Sequence, residues 1–173
     1  MKEPKGKQTK TKTVVAIDPS GRGKDETIVE HIQIKVKRLH PDAVLPIFKT
    51  EGAVGADLTL KEDLKVFPFQ THKVPLGFAI EIPNGYHAKI YLRSSTGLNT
   101  PLRLSNGTGI IDSDYRGEVC LLIENIRRGN VYRAKGERIA QIIIERNIPT
   151  AYVEVEELSD SERGDGGFGS TGK

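Results

Sequence analysis

The chain predicts an all-β fold of sandwich or jelly-roll type. Three observations carry this. Apolar and polar residues alternate at period two in several separate runs. Turn-forming Gly, Asn and Pro residues fall between those runs. Only Ser94 to Asn99 looks able to form a helix, and a short one.

The runs are taken in order. Ile32, Ile34 and Val36 alternate with Gln33, Lys35 and Lys37. Val74, Leu76, Phe78, Ile80 and Ile82 form the longest alternation, and Tyr86, Ala88, Ile90 and Leu92 the next. Val119 to Ile123, Ile139 to Ile144 and Tyr152 to Val155 are shorter runs of the same kind. In an extended chain, period two sends one set of side chains to a core and the other to water, so each run is expected to be a half-buried strand. Pro83-Asn-Gly85, Ser105-Asn-Gly-Thr-Gly109, Arg128-Gly-Asn130 and Lys135-Gly136 supply the turns.

A chain of 173 residues is long enough for one domain with a real core. No apolar run approaches the ~20 residues that cross a bilayer, and Met1-Lys-Glu-Pro-Lys-Gly-Lys7 lacks the apolar segment of a secretory signal. A single cysteine, Cys120, excludes an internal disulfide and suggests a reducing intracellular compartment such as the cytoplasm. It lies in a strand-like run and is expected to be a small buried hydrophobe. The net charge of +3 is uneven: residues 1–24 carry seven Lys/Arg against two acids, so the remainder sums to −2. The overall charge of the body therefore does not mark it as a basic nucleic-acid-binding domain. The leader is a candidate nucleic-acid contact, although most short basic leaders are solvated tails. Its Gly-Lys pair, Gly23-Lys24, does not make a phosphate-binding loop, because Asp18 and Asp25 stand where Gly and Ser/Thr are needed.

Polar segments interrupt the strands. Gly55-Ala-Asp-Leu58 places Asp57 beside a strand. Leu92-Arg-Ser-Ser-Thr-Gly97 offers a guanidinium, hydroxyls and backbone donors, a set that suits phosphate. Asn106 to Gly117 contains Asp112, Asp114 and Tyr115, and Gly136-Glu-Arg-Ile-Ala-Gln141 is the fourth segment. The chain closes on Arg163-Gly-Asp-Gly-Gly-Phe-Gly-Ser-Thr-Gly-Lys173. That tail has the composition of a flexible linker. It also has the groups of a polyphosphate-binding lid: close-approaching glycine N–H groups, a forked cation, hydroxyls and one ring.

Taken together and in this order, Ala-Val-Gly-Ala-Asp-Leu, Arg-Ser-Ser, Gly-Ile-Ile-Asp-Ser-Asp-Tyr-Arg-Gly, Gly-Glu-Arg-Ile-Ala-Gln and Arg-Gly-Asp-Gly-Gly-Phe-Gly-Ser-Thr-Gly resemble the five motifs of the homotrimeric dUTP pyrophosphatase (dUTPase) family. The resemblance spans roughly Ile32 to Lys173. It implies a distorted jelly roll of β-clip type with a Gly-rich C-terminal lid, organised as a basic leader (1–30), a β domain (31–158) and a nucleotide-closing tail (159–173). It further implies hydrolysis of dUTP to dUMP and pyrophosphate with Mg²⁺, which keeps uracil out of DNA and supplies dUMP for thymidylate synthesis. Homotrimers with sites shared between chains are implied too.

The resemblance also implies roles. Asp112 matches the general base that activates water against the α-phosphorus. Asp57 matches an acidic group near the metal and that water, acting through water rather than by ligation. Arg93, Ser94, Ser95 and Gln141 match phosphate contacts. Asn106, with the backbone around Gly109 and Ile111, matches the uracil-edge reader, and Tyr115 the ring beneath deoxyribose that excludes a 2′-hydroxyl. Arg163, Phe168, Gly169, Ser170 and Thr171 match the lid. Mg²⁺ would be held by the triphosphate and waters, with no protein ligand. Two departures are small: Ala56 stands where the family usually has Tyr, and Arg-Ser-Ser-Thr-Gly replaces Arg-Ser-Gly. A nucleotide-switched binding protein and a deaminase on the same fold are the alternative functions. Pyrophosphate release on dUTP separates both from a dUTPase.

Overall fold

The computed structural model describes residues 32–167. The basic leader and residues 168–173, including Phe168, Gly169, Ser170 and Thr171, lie outside the described residues.

Two four-stranded antiparallel sheets and a two-stranded ribbon make up the body. The first sheet runs β1 (Lys35–Arg38), β4 (Thr71–Glu81), β8 (Glu118–Asn125), β6 (Leu102–Leu104). The second runs β2 (Ala56–Thr59), β10 (Arg138–Arg146), β5 (Tyr86–Leu92), β7 (Gly109–Ile111). The ribbon pairs β3 (Leu64–Val66) with β9 (Val131–Arg133). The predicted helix is present as α1 (Ser94–Asn99). This is the all-β jelly-roll architecture that the alternation predicts.

The period-two runs build the core. Val74, Leu76, Phe78 and Ile80 of β4 meet Val119, Leu121 and Ile123 of β8, with Ala88, Ile90, Ala140 and Ile142 from the second sheet. Phe78, Leu76 and Ile123 have no exposed surface. Removing side chains of this size from water stabilises the fold by about 1.5–3 kcal/mol each. A bulge interrupts the β4–β8 ladder between Pro75 and Ala79. Gly77 occupies it at φ +81°, where a Cβ would lie 2.8 Å from that of Ala43. Its N–H donates to Glu118 Oε1 at 2.7 Å, so the bulge leaves no orphan donor.

Two runs differ from expectation. β1 is an exposed edge strand, with Val36 36% exposed, because only β4 pairs with it. The run Tyr152–Val155 forms no strand. Tyr152 is 99% and Val153 78% exposed. A strand needs a neighbouring ladder to satisfy its backbone, and within one chain none reaches this arm.

A third feature escapes the pattern. Phe67-Pro68-Phe69-Gln70 is a turn closed by Gln70 N–H on Phe67 O at 3.4 Å, with Phe69 at φ +56°. Proline second and positive φ third is the type II arrangement, which ordinarily takes glycine third. Phe69 is the one non-glycine residue with positive φ among the described residues, at a cost of about 1–3 kcal/mol. Buried Asn125 braces the turn: its carbonyl accepts from Phe69 N at 2.8 Å, and its amide donates to Gly129 O at 2.8 Å and Val66 O at 3.4 Å.

Candidate functional site

Strand register assembles the first group of candidate residues. Asp57 on β2 lies opposite Gln141 on β10, which lies opposite Tyr91 on β5. Arg93 follows directly after β5, so the end of that strand carries its guanidinium toward Asp57. Asp57 is nearly buried, and both of its oxygens are taken. Arg93 Nε sits 3.1 Å from Oδ1 and Arg138 Nη1 donates to Oδ2 at 2.7 Å. Arg93 also donates through Nη1 to the carbonyl of Arg138 at 3.3 Å. Two guanidiniums around one carboxylate leave a net positive charge where β2, β10 and β5 end, which suits an anionic ligand.

Ser94 and Ser95 open α1 and are exposed, with no side-chain cap at its start. The Gln141 side chain lies against Gly55, where an added Cβ would sit 3.0 Å from Oε1. The smallness of Gly55 is what lets that amide lie flat over the strand end. Arg138 was not singled out from sequence. Its signal is its place in Gly136-Glu-Arg-Ile-Ala-Gln141, where it pairs with Thr59, two residues along β2 from Asp57.

The second group stands elsewhere on the same sheet. Gly109 pairs with Ile90 and Ile111 with Ala88. Asp112 follows β7, and its carbonyl accepts from Tyr115 N at 3.2 Å in a turn. Both side chains are exposed at a cavity of about 150 Å³ lined by Ile110, Ile111, Asp112, Tyr115, Glu118, Val119 and Cys120. Tyr115 donates from Oη to Glu118 O at 3.0 Å, which lays the ring across Gly117. An alanine Cβ at Gly117 would fall 2.4 Å from Tyr115 Oη, so glycine is required there for the ring to lie as it does. Asn106 is exposed in the loop before β7, and its carbonyl accepts from Thr108 N at 2.7 Å.

Cys120 is half-buried rather than buried. Val119, Leu121 and Ile123 face the core, so strand parity turns Cys120 to the cavity. Burial pushes its thiol above the ordinary range.

The two groups are not brought together within one chain. Asp112 lies beyond the level of Ala88 on β5, whereas Arg93 lies past Leu92. About six strand residues separate those levels, roughly 20 Å. Arg163 is also apart: it is exposed and donates from Nε to Gly166 O at 2.8 Å, a contact inside its own turn.

Among the described residues, no group of three or more His, Cys, Asp or Glu is placed to hold a metal ion. No helix among them is long and apolar enough to cross a membrane. The donor chemistry near Asp57 is cationic and suits phosphate oxygens, not a bare cation. A metal would arrive here as part of a metal–polyphosphate ligand.

A family model described as dUTPase matches residues 42–172. A deoxyuridine 5′-triphosphate nucleotidohydrolase of Hydrogenobaculum sp. is 44% identical over 142 residues, covering 82% of this chain and 99% of the relative. That of Zymomonas mobilis is 41% identical over 143 residues, covering 82% and 98%. Among solved structures, the dUTPase of Staphylococcus bacteriophage 80alpha with dUPNHPP has a TM-score of 0.75 at 28% identity, covering 82% of this chain and 99% of that one.

Proposed function

The chain belongs to the dUTPase family, and on that premise we propose that it hydrolyses dUTP to dUMP and pyrophosphate at sites shared between the chains of a homotrimer. The separation of Asp112 and Tyr115 from Asp57, Arg93 and Gln141 carries the shared-site reading. A triphosphate contacting the guanidinium group cannot also present its α-phosphorus to an Asp112 roughly 20 Å away on the same chain. A second copy supplies the missing half. The arm around Tyr152 supports the same reading, since its exposed apolar run has no ladder until another chain provides one.

In the shared site the cavity beneath Ile110 and Ile111 takes the uracil ring. Asn106 and the backbone of Gly109 and Ile111 read its edge, and Tyr115 packs on the sugar. The exposed Asp112 carboxylate accepts a proton from water as that water's oxygen bonds to the α-phosphorus. The bond from that phosphorus to the bridging oxygen breaks, and pyrophosphate leaves. Arg93, Ser94, Ser95 and Gln141 of a second chain hold the phosphates, while Arg163, Phe168, Gly169, Ser170 and Thr171 close over the nucleotide. The substrate is taken as Mg·dUTP, the ion lowering the charge of the triphosphate.

Complementation tests the shared site. Asp112→Asn and Arg93→Ala homotrimers should each be nearly inactive. Dissociated, mixed one to one and reassembled, they should recover about a quarter of wild-type pyrophosphate release, because random assembly restores that share of intact sites. Sites confined to one chain would recover none.

Gly117→Ala tests the sugar pocket. The added methyl must displace the Tyr115 ring, while exposure of the turn leaves the fold intact. The ratio of kcat/KM for dUTP over UTP should fall about 10-fold, the scale of a pocket misfit of one methyl. An unchanged ratio would mean that another group excludes the 2′-hydroxyl.

A further inference from the structure

We propose that the Phe67–Gln70 turn and the loop after β8 form a second binding surface, separate from the nucleotide site, for single-stranded nucleic acid. Phe69 and Tyr132 supply stacking faces there, and Lys65, Arg127 and Arg128 supply phosphate contacts. The surface lies at the Asn125 end of β8, whereas the cavity with Asp112 lies at the Glu118 end. At ~3.4 Å per residue the two are roughly 24 Å apart.

Three independent observations meet at this place. The first is the backbone of Phe69: a bulky residue is held at φ +56° in a turn position suited to glycine, and the residue is 64% exposed. The fold gains little burial from that residue, so the strain is borne for something other than packing. The second is the aromatic exposure around it. Tyr132 is 65% and Phe67 41% exposed. Lys65 lies directly across the ribbon from Tyr132, and its Nζ is 5.5 Å from the Tyr132 ring centroid and 4.7 Å from that of Phe67. The third is charge. Among the described residues none of Lys65, Arg127 and Arg128 has a carboxylate partner, and the two arginines are exposed.

Asn125 holds these parts in one surface, bracing the turn through its carbonyl and the loop through its side chain. Exposed cations without carboxylate partners beside exposed rings, Lys65 covering one face of Tyr132, are what an unpaired polynucleotide uses, phosphates on the cations and bases on the rings. A duplex would hide its base faces, and an acidic peptide would engage the cations while leaving the rings idle.

The test uses the full chain with labelled fifteen-residue oligo-dT and oligo-U, read by fluorescence anisotropy; comparison of the two distinguishes DNA from RNA as the source. Phe69→Gly should raise the melting temperature by about 2–4 °C, because glycine takes positive φ without strain. The same change should weaken oligonucleotide binding at least ~10-fold and leave dUTP turnover unaltered. Arg127→Ala with Arg128→Ala should lower the salt slope of log affinity by about 1.4, the share of two phosphates on a single strand. Tyr132→Ala should weaken binding without affecting the Phe69 turn.

Unchanged affinity in all three variants would overturn the proposal and assign any binding to the basic leader. A fall in melting temperature for Phe69→Gly would also overturn it, by making Phe69 a packing residue. Binding of a labelled polyglutamate peptide in preference to both oligonucleotides would replace it with an acidic-protein surface.

Discussion

Asp112→Asn should lower dUTP turnover by ~10²–10⁴-fold, the contribution of a positioned general base, while nucleotide binding stays near wild type. The geometry separates these effects. Asp112 is exposed where β7 ends, and the turn it begins is closed through its main-chain carbonyl by Tyr115 N. An amide side chain has the same shape and the same tolerance of turn positions, so neither turn nor cavity should move. What is lost is the oxygen able to take a proton from water. Pyrophosphate release measures the first effect, and calorimetry with a non-hydrolysable dUTP analogue the second. Asp114, two residues on and also exposed, is the natural control. If Asp114→Asn stops turnover and Asp112→Asn does not, the base has been assigned to the wrong carboxylate.

Much of this molecule was legible in its residues, and the boundary has physical causes. β5 and β8 follow the alternation closely, because each has neighbours on both sides and one face on the core, whereas β4 and β10 lose it at their bulges, where consecutive residues are buried. Tyr152–Val155 alternates as well and forms no strand. The pattern records which side chains favour a partner, not whether that partner lies in the same chain. The Phe67–Gln70 turn carries no glycine, so its sequence gave no sign of a positive φ. Cys120 is half-buried because Val119 and Leu121 face the core, and a short apolar run does not reveal which parity does so. The ion pair of Asp57 with Arg138 joins residues 81 apart, a contact that exists only once β2 is in register on β10. The motif order names both groups of candidate residues. The distance between those groups is a property of sheet order, which no motif encodes.

Asp57→Asn is expected to have the second large effect, and it separates two roles for that carboxylate. The family resemblance puts Asp57 near the metal and the attacking water. In the folded chain both of its oxygens are held by Arg93 and Arg138, and we propose that it acts by positioning Arg93. An asparagine has one acceptor oxygen for two guanidiniums, and its NH₂ group would face a second donor. Removing one member of a fully buried ion pair costs about 3–5 kcal/mol. Here the arginine side chains are 28% and 39% exposed and water offsets part of that loss, so about 2 kcal/mol and a fall of roughly 4–8 °C in Tm are expected. With Arg93 no longer fixed, misplacement by about 1 Å should cost ~10² in kcat/KM, mainly through KM for dUTP. The Mg²⁺ concentration giving half-maximal rate should remain as in wild type. Arg138→Met should move KM in the same direction, since it leaves Asp57 free to rotate away from Arg93. If instead Asp57→Asn raises the Mg²⁺ requirement while Arg138→Met leaves KM untouched, the carboxylate acts on the metal and its water, and the arginine pair is only its counter-charge.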